Sequence, residues 1–326
     1  MASAWTDLVT VKEVREAASR IEGVALRTPL LPFPDLSEKL GGEVRLKCES
    51  LQKTGSFKMR GALNFLSRLT KGELGRGVIT YSSGNHAQAL AFAAGQSGVR
   101  AVAVMPTNAA QVKIDGARSL GAEVVLEGTT SIQRKTRAEA IADEEGLTVV
   151  PPFEHPFIIA GQGTVGLEIA QEWPEVDLVL APIGGGGLIS GIAVAVKALL
   201  PEVTVLGVEA KGAPTMHAAL EAGGPVTLDG TDTIADGLKP VRVGDLTFLH
   251  AEALLDGVVL VEDDAILDAT GLLLHDRKLV VEVSGAAVVG ALLSHPNLTS
   301  GRRVAAVLSG GNLDRSILGR LSGGPG

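Results

Sequence analysis

The sequence predicts an α/β fold built from parallel sheets. Short runs rich in Val and Ile alternate with longer segments rich in Ala, Leu and Glu along nearly the whole chain. This alternation implies parallel strands joined by right-handed crossovers, with helices on both faces of each sheet. The predicted strands are 44–48, 77–81, 100–105, 123–126, 147–150, 178–181, 203–208, 258–261 and 303–308, and the predicted helices include 57–69, 87–96, 109–120, 131–145 and 188–200.

The order of these elements also predicts two lobes. A length of 326 residues suggests about two domains. The strand–helix units between residues 77 and 150 are very regular, which favours one compact lobe. We therefore predict a small domain of residues 71–149 and a discontinuous large domain of residues 1–70 and 150–326, each with an open parallel sheet.

Composition excludes several classes of protein. Hydrophobic residues make up 45% of the chain and charged residues 20%, which rules out disorder. The 37 acidic and 29 basic residues give a net charge of −8, so we expect no nucleic-acid or membrane partner. The single cysteine, Cys48, excludes an internal disulfide framework and suits a reducing compartment, so we expect a cytoplasmic protein.

A candidate reactive lysine lies in the segment Ser50-Leu-Gln-Lys-Thr-Gly-Ser-Phe-Lys-Met-Arg-Gly61. Gly55 predicts a turn and Ser56 a helix N-cap, which places Lys58 in the first turn of the following helix. A positive charge there is disfavoured by ~0.3–1 kcal/mol because it opposes the helix dipole. Such an ammonium is easier to deprotonate, as a Schiff-base lysine requires. A solvated lysine at a helix start is the alternative.

Four consecutive glycines, Gly184, Gly185, Gly186 and Gly187, separate a predicted strand from a predicted helix. The uncharged stretch 178–196 is long enough to span a membrane, but Pro182 and the glycines would break a spanning helix. Successive residues without side chains let several backbone amides surround one anion, with the helix dipole behind them. The expected guest is a phosphate, and the alternative is close packing of helix on sheet.

Two polar turns also follow predicted strands. Tyr81-Ser-Ser-Gly-Asn-His86 offers hydroxyl, amide and backbone donors for a small carboxylate ligand, or forms an ordinary N-cap cluster. Ser309-Gly-Gly-Asn312 presents a hydroxyl at a strand end, where open parallel sheets bind ligands. The G-x-G-x-x-G match at 161–166 lacks a good preceding strand and a following acidic residue, so we expect no dinucleotide site there. We expect the turns to line one cleft.

Together these segments resemble the serine/threonine dehydratase family, the pyridoxal-phosphate enzymes of fold type II with a tryptophan synthase β-like architecture. The resemblance runs from Arg27-Thr-Pro-Leu30 to Ser309-Gly-Gly-Asn312. It rests on Lys-Thr-Gly-Ser-Phe-Lys58, Ser-Ser-Gly-Asn-His86, Ala-Gly-Gln-Gly-Thr164, the four glycines and the C-terminal turn. It implies two open parallel-sheet lobes with the cofactor cleft between them.

The resemblance implies a role for each matching residue. Lys58 would be the Schiff-base lysine and proton-transfer base, and Ser83 a second catalytic residue. Asn85 would contact the phenolic oxygen of pyridoxal phosphate and Ser309 its pyridine nitrogen. The cofactor-binding set would be Phe57, Lys58, Asn85, Gly184, Gly185, Gly186, Gly187, Gly237 and Ser309, and the substrate-binding set Ser82, Ser83, Gly84, Asn85 and His86.

A metal site is doubtful. Family members that bind a divalent cation have a glutamate, a backbone-carbonyl position and an aspartate. Here Glu209 and Ala213 match the first two positions, but Thr215 replaces the aspartate. A neutral hydroxyl is a poorer ligand for a hard cation than a carboxylate. Whether a divalent or a monovalent cation binds stays open.

The implied activity is conversion of L-threonine, and of L-serine, to a 2-oxo acid and ammonia. We expect a small hydroxy amino acid as substrate and a homodimer or homotetramer as the assembly. A serine racemase or a threo-3-hydroxyaspartate dehydratase on the same scaffold is the alternative, and a non-catalytic phosphate-binding protein is a remote one. Because the chain ends soon after Asn312, no C-terminal regulatory domain is expected.

Overall fold

The computed structural model describes residues 7–82 and 84–321 and contains two sheets. The larger sheet has the order β1-β2-β10-β7-β8-β9, formed by β1 (Leu30–Pro32), β2 (Glu43–Cys48), β7 (Leu178–Pro182), β8 (Thr204–Ala210), β9 (Gly257–Val261) and β10 (Arg303–Leu308). The smaller sheet has the order β5-β4-β3-β6, formed by β3 (Val78–Tyr81), β4 (Ala101–Met105), β5 (Glu123–Leu126) and β6 (Thr148–Val149).

Helices separate most consecutive strands, as parallel connections require. They are α1 (Val11–Ile21), α2 (Pro34–Leu40), α3 (Lys58–Leu66), α4 (Lys71–Arg76), α5 (Asn85–Gln96), α6 (Gln111–Ser119), α7 (Ser131–Glu145), α8 (Pro156–Glu172), α9 (Gly187–Leu199), α10 (Thr215–Ala222), α11 (Asp245–Leu254), α12 (Asp263–His275), α13 (Val283–Ser294) and α14 (Arg315–Leu321). Within the described residues, none is long and apolar enough to cross a membrane.

The predicted α/β class is confirmed, with one exception to the parallel arrangement. All nine predicted strands are present, and every described strand pair is parallel except β1 with β2. Strand β1 was not predicted, because three residues ending in proline carry no alternating pattern. It pairs antiparallel at the edge of the larger sheet, where proline is tolerated.

The two sheets divide the chain in a simple way. Strands β3 to β6 all come from residues 78–149, whereas the strands of the larger sheet come from both sides of this stretch. The division into residues 71–149 and residues 1–70 plus 150–326 stays a prediction, since strand positions do not fix the boundary of a folding unit.

The uncharged stretch 178–196 forms a buried strand, a loop and a buried helix. All five residues of β7 are buried, and so are the first ten residues of α9. A strand covered on both faces has no exposed side that would call for polar residues. The G-x-G-x-x-G match lies inside α8 rather than after a strand. Its glycines allow close helix packing, because a Cβ on Gly161 would lie 2.6 Å from the Cα of Gly61 in α3.

Candidate active site

Lys58 is the first residue of α3, in the first helical turn as predicted. Its Nζ donates a 2.7 Å hydrogen bond to the backbone oxygen of Pro152, and it lies 5.1 Å from the centre of the Phe57 ring. Burial lowers the pKa of Lys58 to about 8, against the attraction of the Glu282 carboxylate. About a tenth of this amine is therefore unprotonated at a pH of about 7, far more than for an ordinary lysine with a pKa of about 10.4.

The predicted cap of this helix is wrong. Phe57 occupies the N-cap position, and no side chain caps the helix. Ser56 is instead buried one residue further out, where its backbone pairs with Gly310. Its hydroxyl has no partner among the described residues. The amide of Phe57 donates to the backbone oxygen of Ser309 at 3.1 Å, so the turn after β10 fixes the start of α3.

The glycine loop (Gly184, Gly185, Gly186 and Gly187) connects β7 to α9. Gly186 has φ +93° and takes the N-cap position, and no acidic residue lies in the first turn. Neighbouring atoms leave no room for side chains: an added Cβ would lie 2.2 Å from the Phe153 ring at Gly185 and 2.7 Å from Thr247 Cβ at Gly186. No described residue accepts a hydrogen bond from the amides of the first three glycines. The loop has the free donors and helix dipole that bind an anion.

Gly237 lies beside this loop. A Cβ added to Gly184 would come within 2.5 Å of the backbone oxygen of Gly237. The Gly237 amide donates to Ser284 Oγ at 2.8 Å. The structure thus brings Gly237 next to the glycine loop from a separate part of the chain.

Asn85 is held by residues from the larger-sheet side of the molecule. Its Nδ2 donates to Oε1 of Glu282 at 2.6 Å, and its Oδ1 accepts from Nδ2 of Asn312 at 3.0 Å. Asn312 also donates to the backbone oxygen of Thr54 at 3.0 Å, and Glu282 donates its amide to the backbone oxygen of Gly310 at 2.9 Å. These contacts orient the Asn85 side chain and leave one amide hydrogen for a ligand.

The other residues predicted to bind substrate differ in the contacts they make. Ser82 Oγ accepts a 3.2 Å hydrogen bond from the Gly84 amide at the start of α5. His86 is buried, and its Nε2 lies 3.2 Å from the backbone oxygen of Val150. Burial lowers the pKa of His86 to about 3, so the imidazole is neutral and donates to that oxygen. Ser83 lies outside the described residues.

The predicted cation ligands belong to a hydrogen-bonded turn. Oε1 of Glu209 accepts from the Thr215 hydroxyl at 3.1 Å and from the Met216 amide at 2.7 Å, and Oε2 accepts from the His217 amide at 3.0 Å. The oxygen of Ala213 accepts from the Thr215 amide. The carboxylate therefore caps α10, and a neutral hydroxyl lies beside it where a cation site would need a second carboxylate. The described residues contain no group of three His, Cys, Asp or Glu that could hold a metal ion.

Two charged residues near Glu282, Lys113 and Asp236, are not among the site residues predicted from the sequence. Lys113, in α6, is buried and contacts Asp236 through its Nζ, which also lies 3.9 Å from Glu282. The pKa of Glu282 is raised to about 7, because the effect of burial exceeds the opposing effect of the nearby Lys113 charge. A cavity of about 110 Å³ beside these residues is also lined by Asn312. Nothing in the local sequence distinguishes Lys113 from a solvated helix lysine.

Hydrogen bonds join site residues from the two sheets. Lys58, Ser309 and the glycine loop belong to the larger-sheet side, and Asn85, the first residue of α5 after β3 of the smaller sheet, bonds to Glu282. A buried amine with a lowered pKa, an adjacent ring and a glycine loop with free amides have the chemistry that pyridoxal phosphate needs, because its aldehyde reacts with an unprotonated lysine and its phosphate accepts from amides. The fold and these residues are those of a pyridoxal-phosphate enzyme of fold type II.

The chain belongs to the pyridoxal-phosphate dependent enzyme family, whose model matches residues 21–310. It is 44% identical to the L-threonine ammonia-lyase of Thermotoga maritima, over 96% of this chain and 78% of that protein. The solved structure of the processed form of threonine deaminase isoform 2 from Solanum lycopersicum has a TM-score of 0.89 at 37% identity, covering 97% of this chain and 95% of that one. Maize serine racemase has a TM-score of 0.91 at 36% identity, covering 96% and 97%.

Proposed function

We propose that this protein converts L-threonine, and L-serine, to the corresponding 2-oxo acid and ammonia. The observation that carries the proposal is the buried amine of Lys58, which burial keeps partly unprotonated and which donates to the backbone oxygen of Pro152, the residue before the Phe153 that lies against the glycine loop. Similarity to a threonine ammonia-lyase and a threonine deaminase supports the substrate class. A hydroxy amino acid has the leaving group that this reaction needs at the β-carbon.

Residues that follow β3, β7 and β10, together with Phe57 and Gly237, would hold the cofactor. The glycine loop would bind the phosphate with its amides and the N-terminus of α9. Phe57 would pack against the ring, Gly237 would line it, Asn85 would donate to the phenolic oxygen and the Ser309 hydroxyl would face the pyridine nitrogen. When bound, pyridoxal phosphate supplies an electron sink for the bond broken at the substrate α-carbon.

Lys58 is the group placed to move the α-proton. The neutral amine accepts this proton and passes it to the β-hydroxyl, which leaves as water when its bond to the β-carbon breaks. One water is taken up when ammonia is released, so the sum is one amino acid giving one 2-oxo acid and one ammonia. His86 is unsuited to this task, because burial lowers its pKa to about 3, which makes the ring a weak base, and because its Nε2 is bonded to the backbone of Val150.

Ser309 favours elimination over reactions that need a long-lived carbanion. A hydroxyl carries no negative charge, so it cannot hold a proton on the pyridine nitrogen as an aspartate can. The ring is then a weaker electron sink, and this matters least when a leaving group departs together with the α-proton. Ser82, Gly84, Asn85 and His86 lie on the loop that would bind the substrate carboxylate.

Serine racemisation is the second candidate function, favoured by the similarity to maize serine racemase over 97% of its chain. Inversion at the α-carbon needs an acid on the face opposite Lys58, and Ser83 is the residue of the motif that would supply it. The Ser83→Ala variant should therefore lose any reaction with D-serine while retaining much of its elimination from L-serine.

The experiment is a product assay on the purified holo-protein with L-threonine, L-serine and threo-3-hydroxyaspartate. We expect release of 2-oxobutanoate from L-threonine and pyruvate from L-serine, measured by keto-acid derivatisation, with the Lys58→Ala variant as the inactive control. Interconversion of L- and D-serine faster than pyruvate release would assign the protein as a racemase instead. Preferential turnover of threo-3-hydroxyaspartate would instead identify the protein as a threo-3-hydroxyaspartate dehydratase.

We also propose a cytoplasmic location and a homodimeric or homotetrameric assembly. The single free cysteine, Cys48, is buried, which is compatible with a reducing compartment. Light scattering coupled to size-exclusion chromatography measures the assembly, and a monomer at micromolar concentration would contradict it.

A further inference from the structure

Four charged side chains form a buried cluster beside the first turn of α3, which we call the charge quartet: Lys47, Glu49, Arg60 and Glu168. Nε and Nη2 of Arg60 each donate to Glu49 at 2.8 Å, and Nη1 and Nη2 donate to Glu168 at 2.6 and 3.0 Å. Lys47 Nζ lies 2.7 Å from Oε2 of Glu168. The side chains of Lys47 and Glu49 are 0% exposed, that of Arg60 1% and that of Glu168 12%.

The two positive and two negative charges of the charge quartet balance. All three nitrogens of the Arg60 guanidinium donate hydrogen bonds. Arg60 also donates to Oγ1 of Thr164 and to the backbone oxygen of Leu26, both at 3.0 Å. Burial would raise the pKa of Glu49, but the Arg60 guanidinium holds it below its ordinary value. Burying each ion costs several kcal/mol, and well-packed apolar side chains often serve stability equally well. Such a cluster is better suited to fixing a geometry than to adding stability.

The geometry that it fixes is the turn that carries Lys58. This turn has no capping side chain and no acidic residue of its own. Besides the Phe57 bond to Ser309, its attachments come from α8 and the loop before it: Gly61 donates its amide to Oε1 of Gln162 at 3.2 Å, and Lys58 donates to the backbone oxygen of Pro152. Arg60 lies between these two contacts in sequence and ties the same turn to Glu168.

We propose that Arg60 is a positioning residue, which fixes the first turn of α3 through the charge quartet and so sets where the Lys58 amine meets the cofactor and the substrate α-carbon. The inference rests on the proposed function for its kinetic consequence but not for its effect on the bound cofactor. The planar fork of arginine makes two carboxylate pairs at once, and the lysine ammonium cannot reproduce this geometry.

The test compares the holo-proteins of Arg60→Lys, which keeps the charge, and Glu168→Gln, which keeps the shape but breaks the pairing. The matched control is Glu123→Gln, since Glu123 pairs with the exposed Arg100 and makes no ion pair with a member of the charge quartet. The readouts are the pH titration of the visible absorbance of the Lys58-bound cofactor, the rate of cofactor loss on dialysis, and kcat and KM for L-threonine.

We expect both quartet variants to shift the midpoint of the absorbance titration and to lose cofactor about tenfold faster, with kcat lowered by about 10- to 100-fold and KM changed little, as misplacement of a reacting group predicts. The control should match the wild type. Folded variants with lower thermal stability but an unchanged titration, cofactor half-life and kcat would overturn the proposal, leaving Arg60 a structural residue. Because the titration needs no substrate, absent oxo-acid production by the wild type would refute the proposed function separately.

Discussion

Nδ2 of Asn85 donates a 2.6 Å hydrogen bond to Oε1 of Glu282, which joins the first residue of α5 to the residue that precedes α13. The two residues are 197 positions apart in sequence. Glu282 also contributes negative charge near Lys58. One carboxylate therefore connects the orientation of Asn85 with the protonation of the reactive lysine.

Cofactor loading should depend on pH through the lysine amine. Only the unprotonated form of Lys58 attacks an aldehyde. Because burial lowers the pKa of Lys58 to about 8, the rate constant for reaction of the apo-protein with pyridoxal phosphate should rise about tenfold per pH unit below that pH and level off above it. Stopped-flow absorbance measures this profile. A rate still rising steeply at a pH of about 9.5, as for an ordinary lysine with a pKa of about 10.4, would contradict the lowered pKa.

Neutralising Glu282 should move that profile to lower pH. The Glu282→Gln change removes a charge that raises the pKa of Lys58 but keeps an oxygen that can accept from Asn85. We expect the midpoint of the loading profile to fall by about 1 unit, the lower end of the effect of one opposite charge nearby. Glu262→Gln, which alters an exposed pair with Lys211, is the control. An unchanged or higher midpoint in Glu282→Gln would show that Glu282 does not act on Lys58.

A side chain in the glycine loop should impair cofactor binding. In Gly185→Val the Cβ would enter the space of the Phe153 ring, 2.2 Å away, and force the loop to move. We expect cofactor affinity to fall by about 100-fold, because amide donors displaced by about 1 Å no longer match the phosphate. Gly224→Ala is the control, since an added Cβ there meets nothing within 4 Å. Equal cofactor dissociation constants for Gly185→Val and the wild type in a fluorescence titration would show that the loop does not bind the cofactor.

Removing divalent cations with a chelator should leave the activity and stability of the wild type nearly unchanged. The Thr215→Asp variant, in contrast, should respond to Mg²⁺. Both oxygens of Glu209 already accept hydrogen bonds from the start of α10. In Thr215→Asp a second carboxylate replaces the hydroxyl that lies 3.1 Å from Glu209, creating a pair that a hard cation stabilises. We expect Mg²⁺ to raise the unfolding temperature of this variant but not of the wild type. Loss of activity of the wild type in EDTA, restored by Mg²⁺, would show that the natural site binds a cation.

The sequence was sufficient for the features that depend on neighbouring residues. The position of Lys58 at a helix start and the strand–glycine loop–helix order around Gly184 follow from local patterns, and the structure contains both. The predicted Ser56 cap was wrong because tertiary contacts of Phe57 with the Ser309 turn set the helix start instead. The partners of Asn85 were not predicted, because the chain brings them from distant segments.

The charge quartet illustrates the same limit. Lys47 lies in a strand and Glu168 on a long helix, and in sequence each is indistinguishable from an ordinary surface charge. Only the packing of α3 against α8, made close by Gly61 and Gly161, brings these charges together with Arg60. A pairing of this kind has no local signal, since its partners are defined by the tertiary fold.

The identity of the cofactor-bearing lysine tests the central claim most directly. Borohydride reduction of the holo-protein fixes the cofactor to its lysine, and peptide mass mapping then locates the added mass. We expect the label on Lys58, the buried amine that donates to Pro152, and loss of the label in Lys58→Ala. A label on Lys53, Lys113 or Lys239 in the wild type, or none on any lysine, would contradict it.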